Sequence, residues 1–414
     1  MVQYKSLIST QHPSHWKVVR NKAILSITGE VVGKRANEFV LLSLTTNGVI
    51  VRDVESGKGK FPKDFDTYQV VKPNELVFCL FDIDETPRTV GIVEKEGMLT
   101  GAYTALKVNQ NRAFPLFVYY YYIAIDNIKG LKPYYSGLRK TVRADKFLQI
   151  YIPLPPLAEQ EIIVSYLEDK TSKIDAYVAD KEKEIELLQE LKQKTIADAV
   201  TKGLNPDAKM KDSGISWIGM IPEHWEVKKI GSLFTERREK VSDKDYPALS
   251  VSKQGITPQL DTAVKTDNGD NRKKVCKDDF VVNSRSDRKG SCGVSPYTGS
   301  VSLINIVLSP RNNIEVQYFH HLFRSNDYVE EYYRIGRGIV ADLWTTRYSE
   351  MRNIMVPFPP IAEQHKIVSY INEQCQKIDT LITELQAEID YLKEYKQRLI
   401  ADVVTGQVNV QNEI

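Results

Sequence analysis

The sequence predicts a mixed α/β fold in which two pseudo-symmetric globular domains are joined by two long helices that form an antiparallel coiled coil. Three observations predict it. Residues 153–205 align without a gap on residues 357–409, and 25 of the 53 pairs are identical. Within each copy apolar residues recur at alternating spacings of four and three, the heptad pattern of paired helices. Outside the copies lie short β-branched and aromatic runs punctuated by Gly and Pro, which read as strands. At 414 residues the chain also exceeds what one core usually spans.

The first domain, residues 1–152, has strand-like runs at 39–44 and 76–81. The first helical segment, residues 153–206, opens Pro153-Leu-Pro-Pro-Leu-Ala-Glu-Gln160. Proline is tolerated in a helix's first turn, and Glu159 falls where the helix dipole favours a negative charge. Its seam is predicted to hold Ile174, Val178, Ile185 and Leu188, with Lys181 and Lys192 standing at positions that should be apolar. Those lysines mark the place where the symmetry should be weakest, and they are candidates to face a partner. The second domain, residues 207–356, has strand-like runs at 280–282 and 301–308. The second helical segment, residues 357–414, opens Pro357-Phe-Pro-Pro-Ile-Ala-Glu-Gln364, and its seam is richer: Ile378, Ile382, Leu385, Ile389, Leu392 and Leu399, broken only by Lys396. Gly203 and Gly406 near the two exits are consistent with helix ends.

Reach decides the expected helix direction. A helix from about residue 160 to 200 rises about 60 Å, and a parallel pair would oblige the chain to retrace that length before the second helix could begin. An antiparallel pair needs no return, and predicts a rigid bar with a domain at each end and an approximate two-fold axis. The domains themselves share landmarks rather than sequence. Pro13-Ser-His-Trp-Lys-Val18 recurs as Pro222-Glu-His-Trp-Glu-Val227, and Asn74-Glu-Leu-Val77 as Asp278-Asp-Phe-Val281.

Charge separates the parts. The first domain carries a net +7 and the second +3, while each helical segment carries −4, so a polyanion is attracted to the domains and repelled by the helices. No stretch is apolar enough for a membrane span, and the beginning of the sequence lacks the apolar core of a signal peptide, which places the expectation in the cytoplasm. Cys79, Cys276, Cys292 and Cys375 show no paired spacing and predict neither a zinc site nor a disulfide framework.

The alternation of variable domain, L-P-P-L-A-E-Q helix, variable domain and P-P-I-A-E-Q helix, with Pro-x-His-Trp at each domain's start, resembles the specificity (S) subunit of type I restriction-modification systems over essentially the whole chain. The resemblance implies two target recognition domains, each reading half of a bipartite double-stranded DNA sequence, and a coiled coil that sets the spacer and docks two modification subunits. Those partners would bind S-adenosylmethionine and methylate adenine. Two restriction subunits would add ATP- and Mg-dependent translocation and cleavage. The chain itself would catalyse nothing and bind no cofactor or metal.

Basic loops interleaved with aromatics are the candidate DNA contacts. In the first domain these are Lys58, Lys60 and Lys63, then Arg139, Lys140 and Arg143 after Tyr134-Tyr135. In the second they are Arg272, Lys273 and Lys274, the run containing Arg285, Arg288 and Lys289, and Arg334 with Arg337. Lysine would mainly meet phosphates, whereas arginine can read guanine bidentately. Trp16 and Trp225 in their matched contexts are expected to pack rather than to contact bases, and His320 and His321, without acidic or cysteine companions, are expected to be structural. Enzymatic readings lack their motifs. There is no phosphate-binding G-x-x-x-x-G-K-[ST] loop, and no Asn/Asp-Pro-Pro-aromatic methyltransferase signature. Asp212 with Glu226 and Lys228 is the nearest thing to a nuclease set. Gly290-Ser-Cys-Gly293 is no nucleophile elbow, and Gly293, matching Gly91, is expected in a turn. The alternatives are a coiled-coil adaptor joining two proteins and a metal-dependent nuclease that uses Asp212 and Glu226.

Overall fold

In the computed structural model, residues 12–52, 65–260, 269–311, 314–338 and 344–411 are described. The chain divides into two compact units, Met1–Glu182 with Gln386–Ile414, and Lys183–Leu385. Each unit contains one domain and a share of both long helices, Leu157–Lys202 and Ile361–Val404.

The domains repeat one topology. In the first, a four-stranded antiparallel sheet runs in the order Leu25–Ile27, Thr104–Val108, Leu76–Phe78 and Val90–Ile92. In the second, the matching order is Phe234–Glu236, Asn305–Pro310, Phe280–Asn283 and Cys292–Val294. A hairpin lies over each sheet, Leu42–Thr45 with Gly48–Val51 and Leu249–Ser252 with Gly255–Pro258. The matched turn residues Asn74 and Asp278 both hold φ +68°, a conformation that Asn and Asp tolerate better than other side chains. The predicted run at 301–308 is two strands, Gly299–Val301 and Asn305–Pro310. Gly91 and Gly293 are in strands, opposite Val77 and Val281, and not in the expected turn. A Cβ on Gly91 would lie 2.6 Å from Leu44 and 2.7 Å from Val49 of the overlying hairpin, so close sheet-on-hairpin packing is what requires glycine there.

Helices complete each core. In the first unit Phe78, Phe117, Tyr121, Tyr122 and Phe147 pack with Ile163, Val164 and Leu167 of the first long helix and with Leu399, Ile400, Val403 and Val404 of the second. In the second unit Phe234, Phe280, Phe319 and Phe323 pack with Ala199 and Val200, and with Ile367 and Ile371. Within each unit the early part of one long helix therefore lies beside the late part of the other, which is the antiparallel arrangement.

The predicted seam is where those helices meet. Val178, Ile378, Leu385, Ile389 and Leu399 are buried, and Ile174, Ile185, Leu188, Ile382 and Leu392 are half-buried. The seam lysines correct the sequence expectation. Lys192 Nζ lies 2.6 Å from Asp379, and its repeat equivalent Lys396 lies 2.6 Å from Asp175, the repeat equivalent of Asp379. The symmetry is kept at this position, because the Asp of the duplicated Lys-Ile-Asp motif supplies the counter-charge across the seam. Lys181, opposite Glu388 at 3.8 Å, is the lysine without a lysine twin.

Candidate nucleic-acid interface

Each domain is gripped at its start by the helices. Trp16 Nε1 donates to Glu159 Oε1 at 3.0 Å, and His15 Nε2 is 2.9 Å from Glu159 Oε2. In the second unit Trp225 Nε1 and His224 Nε2 meet Glu363 Oε2 at 3.1 and 2.8 Å. Both tryptophans are buried, as a packing role requires. The neighbouring glutamines, Gln160 and Gln364, are fully buried and accept the backbone N–H of Phe114 and Glu315 at 2.8 and 2.9 Å. Closure comes from the other helix's end. A Cβ on Gly406 (φ +72°) would run into Pro13 and Trp16, and one on Gly203 (φ +75°) would meet Trp225 and Glu363 at 3.1 Å. The duplicated P-P-x-A-E-Q and Pro-x-His-Trp motifs are thus the two halves of one clasp.

The loops that follow the sheets carry exposed cations at one end of each domain. In the second domain the loop after Phe280–Asn283 is stitched to a later segment. Ser286 N–H donates to Trp344 O at 2.9 Å, Thr346 N–H to Ser284 O at 3.0 Å, and Thr345 N–H to Arg337 O at 2.9 Å. This brings Arg285, Arg288 and Arg337 to one end of the domain, with the side chains of Arg288 and Arg337 68% and 83% exposed. Arg334 and Lys289 are held by Glu331 and Glu330, each at 2.6 Å. The first domain builds the same end from the same places: Asp82 N–H donates to Arg139 O at 2.9 Å, and Val142 N–H to Leu80 O at 2.7 Å. Arg139 and Arg143 are exposed there. Lys140 is held above the usual lysine range by its hydrogen bond to Asp84, 3.1 Å away.

One predicted cluster moves inside. Arg272 is 5% exposed and donates to Ser300 Oγ at 2.9 Å and to Ser300 O at 3.1 Å; burial pushes its guanidinium pKa down. Lys273 Nζ donates to Asn305 O at 2.7 Å, and Lys274 pairs with Glu239 at 2.9 Å. The strand Arg272–Val275 is the middle of a three-stranded sheet, so all three cations are engaged by partners within the fold. Lys58, Lys60 and Lys63 lie outside the described residues. Trp344, Thr345 and the exposed Leu138 were not singled out by sequence, since only the folded hairpins bring them to these ends.

The acidic pair of the nuclease reading is not assembled as a site. Asp212 accepts the N–H of Gly214 at 2.9 Å and Glu226 pairs with Lys228 at 2.9 Å. Among the described residues no group of three His, Cys, Asp or Glu could hold a metal ion. His320 Nδ1 accepts the Val294 N–H at 3.2 Å, and burial pushes His320 down to about 3 and His321 to about 4.

A family model for the type I restriction modification DNA specificity domain matches residues 13–187 and again residues 222–391. The chain belongs to the type I restriction-modification DNA specificity family. It is 23% identical over 422 residues to a sequence assigned as the MjaX type I restriction enzyme specificity subunit of Methanocaldococcus jannaschii, covering 96% of this chain and 95% of that one. It is 24% identical to the EcoBI specificity subunit of Escherichia coli, over 63% of this chain and 59% of that subunit. Among solved structures, a chain from work on complex assembly and conformational transition of the type I R-M system matches with a TM-score of 0.67 at 16% identity, over 96% of this chain and 100% of that one. The HsdS subunit from Thermoanaerobacter tengcongensis matches with a TM-score of 0.53 at 16% identity, over 97% and 99%. As a specificity subunit the chain recognises DNA sequence and is not the catalyst, which removes the nuclease reading. No helix among the described residues is long and apolar enough to cross a membrane.

Proposed function

We propose that the two domains read the two halves of an asymmetric bipartite DNA target, that the paired helices set the spacer between them, and that the helices dock two adenine methyltransferase subunits and, with them, restriction subunits. The observation that carries this reading is the clasp. One duplicated motif holds two domains of the same topology in the same way, while the loop ends beyond them differ: Arg139 and Arg143 in the first, Arg285, Arg288 and Arg337 in the second. Copying the holder while varying the ends is what reading two unlike half-sites at one separation demands. Arginines at these ends are suited to guanine edges and phosphates in the major groove. S-adenosylmethionine, ATP and Mg belong in this scheme to the partner subunits, which also flip the target adenine, and the assembly works in the cytoplasm.

The test is to co-express the chain with its modification subunits and map methylated adenines across a genome. A bipartite motif that vanishes when this gene is deleted is the expected result. Removing one heptad from each helix is then expected to shorten the spacer and leave both half-sites intact. A change in the half-sites instead would overturn the division into readers and spacer.

A further inference from the structure

The most exposed large apolar side chain among the described residues is Leu138, at 103%. A single leucine on a surface is ordinary, but this one stands at the apex of a braced hairpin. Ser136 N–H donates to Thr141 O at 3.0 Å, Thr141 N–H to Ser136 O at 3.2 Å, and Lys140 N–H closes the turn on Gly137 O at 3.1 Å. Leu138 and Arg139 are therefore the two central residues of that turn. Lys140 holds φ +44°, against the steric preference of its side chain, and Asp84 pins its Nζ at 3.1 Å. The bonds of Asp82 N–H to Arg139 O and of Val142 N–H to Leu80 O fasten the hairpin to the loop after the sheet. Turn chemistry favours Asn, Asp, Gly or Ser at such an apex, and the leucine adds nothing to it.

The second domain's arginine end also shows aliphatic side chains, from a different turn. Leu303 and Ile304 are 38% and 44% exposed, and Ile304 O accepts the hydroxyl of Ser284, the residue before Arg285, at 2.5 Å. Strand register gives their counterparts in the first domain. Leu106 stands opposite Leu76 and Leu308 opposite the matched Phe280, so Leu303 and Ile304 match Gly101 and Ala102. Each end thus sets aliphatic carbon beside exposed arginine, delivered from unlike places on one scaffold. Packing shared by both domains would keep such residues at matched positions, as it keeps Trp16 and Trp225. Reading unlike half-sites would not.

We propose that Leu138 is a specificity-determining residue of the first domain, set against the C5 methyl group of a thymine in its half-site. This rests on the reading of DNA by this end of the domain given above, and it adds a base and the chemistry that recognises it. The thymine methyl is the one apolar group that base pairs present in the major groove. Arg139, beside Leu138 at the apex, brings the guanidinium that meets an adjacent guanine edge or phosphate. The bracing matters because a side chain already held in place loses little freedom on binding. A leucine on a rigid apex, exposed on every side and flanked by a cation, discriminates thymine by burying its methyl group.

The experiment uses the full chain co-expressed with its modification subunits. Methylation mapping fixes the motif, and Arg139→Ala assigns the half-site of the first domain. Duplexes are then made in which each thymine of that half-site is replaced, one at a time, by deoxyuridine, which removes the methyl group and keeps every hydrogen-bonding group. One replacement is expected to weaken wild-type binding about fourfold, whereas L138A binds that duplex and the thymine duplex equally. Mapping of L138A is expected to show that position relaxed and the other half-site unchanged. Since the side chain is exposed, L138A keeps the wild-type thermal transition, measured alongside. If every replacement affects wild type and L138A equally, Leu138 reads no methyl group and the proposal is overturned, although the Arg139 result still supports DNA reading by this end. If L138A weakens all duplexes by one factor whatever their sequence, the leucine lies on the sugar-phosphate backbone and is no reader. If L138A changes only the number of modification subunits bound, its occupant is protein and the proposal falls. If Arg139→Ala alters neither half-site, the DNA reading assigned to this end fails, and the proposal with it.

Discussion

At the scale of single residues, the glutamate of each P-P-x-A-E-Q motif does two things at once. It stands in the first turn of its helix, where the dipole favours it, and it accepts hydrogen bonds from a buried tryptophan and an exposed histidine. Replacing Glu363 by Ala strands the Trp225 indole N–H in a buried setting, a loss of about 1–3 kcal/mol. The lower denaturation midpoint should appear equally in Glu159→Ala, and a null result in both would show that packing alone holds the clasp. Histidine supplies a second residue-scale prediction. Burial holds His320 at about 3 and His321 at about 4, below the ordinary 6.5. Between about pH 6.5 and 4 the unfolded chain therefore binds protons that the folded chain refuses. Stability is present above pH 6.5 and is lost as pH falls through that window. Calorimetry from pH 7 to 5 should show a falling transition temperature, and His320→Asn, which offers Val294 N–H an acceptor that does not titrate, should flatten the slope.

At the scale of elements, the long helices combine an apolar seam with a charged lock. Lys192 and Lys396 stand at seam positions, and each is answered by an aspartate on the other helix. A lysine in a seam costs stability but specifies register. Exposed ion pairs contribute little, so Lys192→Leu combined with Lys396→Leu should raise the melting temperature while loosening the register. Disulfide trapping between cysteines placed at 178 and 392 reads the register directly, and unchanged trapping in the double variant would show that the lysines do not set it. The weaker seam of the first helix follows from Lys181, Thr195 and Ala199 standing at positions where the second helix has Leu385, Leu399 and Val403. Those second-helix residues are buried all the same, and Leu399 and Val403 also sit in the first domain's core.

At the scale of the whole molecule, the division of labour is between a repeated holder and two different ends. Arg139→Ala should relax or alter only the half-site read by the first domain. Arg285→Ala with Arg288→Ala and Arg337→Ala should affect only the other, because each bidentate arginine–guanine pair supplies about 1–3 kcal/mol of discrimination. Methylation mapping of the two variants checks this, and a variant of one domain that changes both half-sites would falsify independent reading. Arg272→Ala should instead lower stability, because its guanidinium is bonded inside a sheet.

By itself the sequence determined the repeat, the heptad seam, the helix direction and the matched starts of the domains. These are carried by local periodicity and by reach, which need no knowledge of neighbours. It also named the arginines of the loop ends. Tertiary structure alone decided which cations are available: Arg272, Lys273 and Lys274 look like an exposed basic run, yet their strand is paired on both edges. It also gave Lys192 its partner, made Gly91 and Gly293 strand residues, and joined Glu159 to Trp16 across 143 residues. The physical reason is common to all of these. A charge, a glycine or an indole N–H is settled by what the fold places within a few ångströms of it, and such neighbours leave no period in the chain.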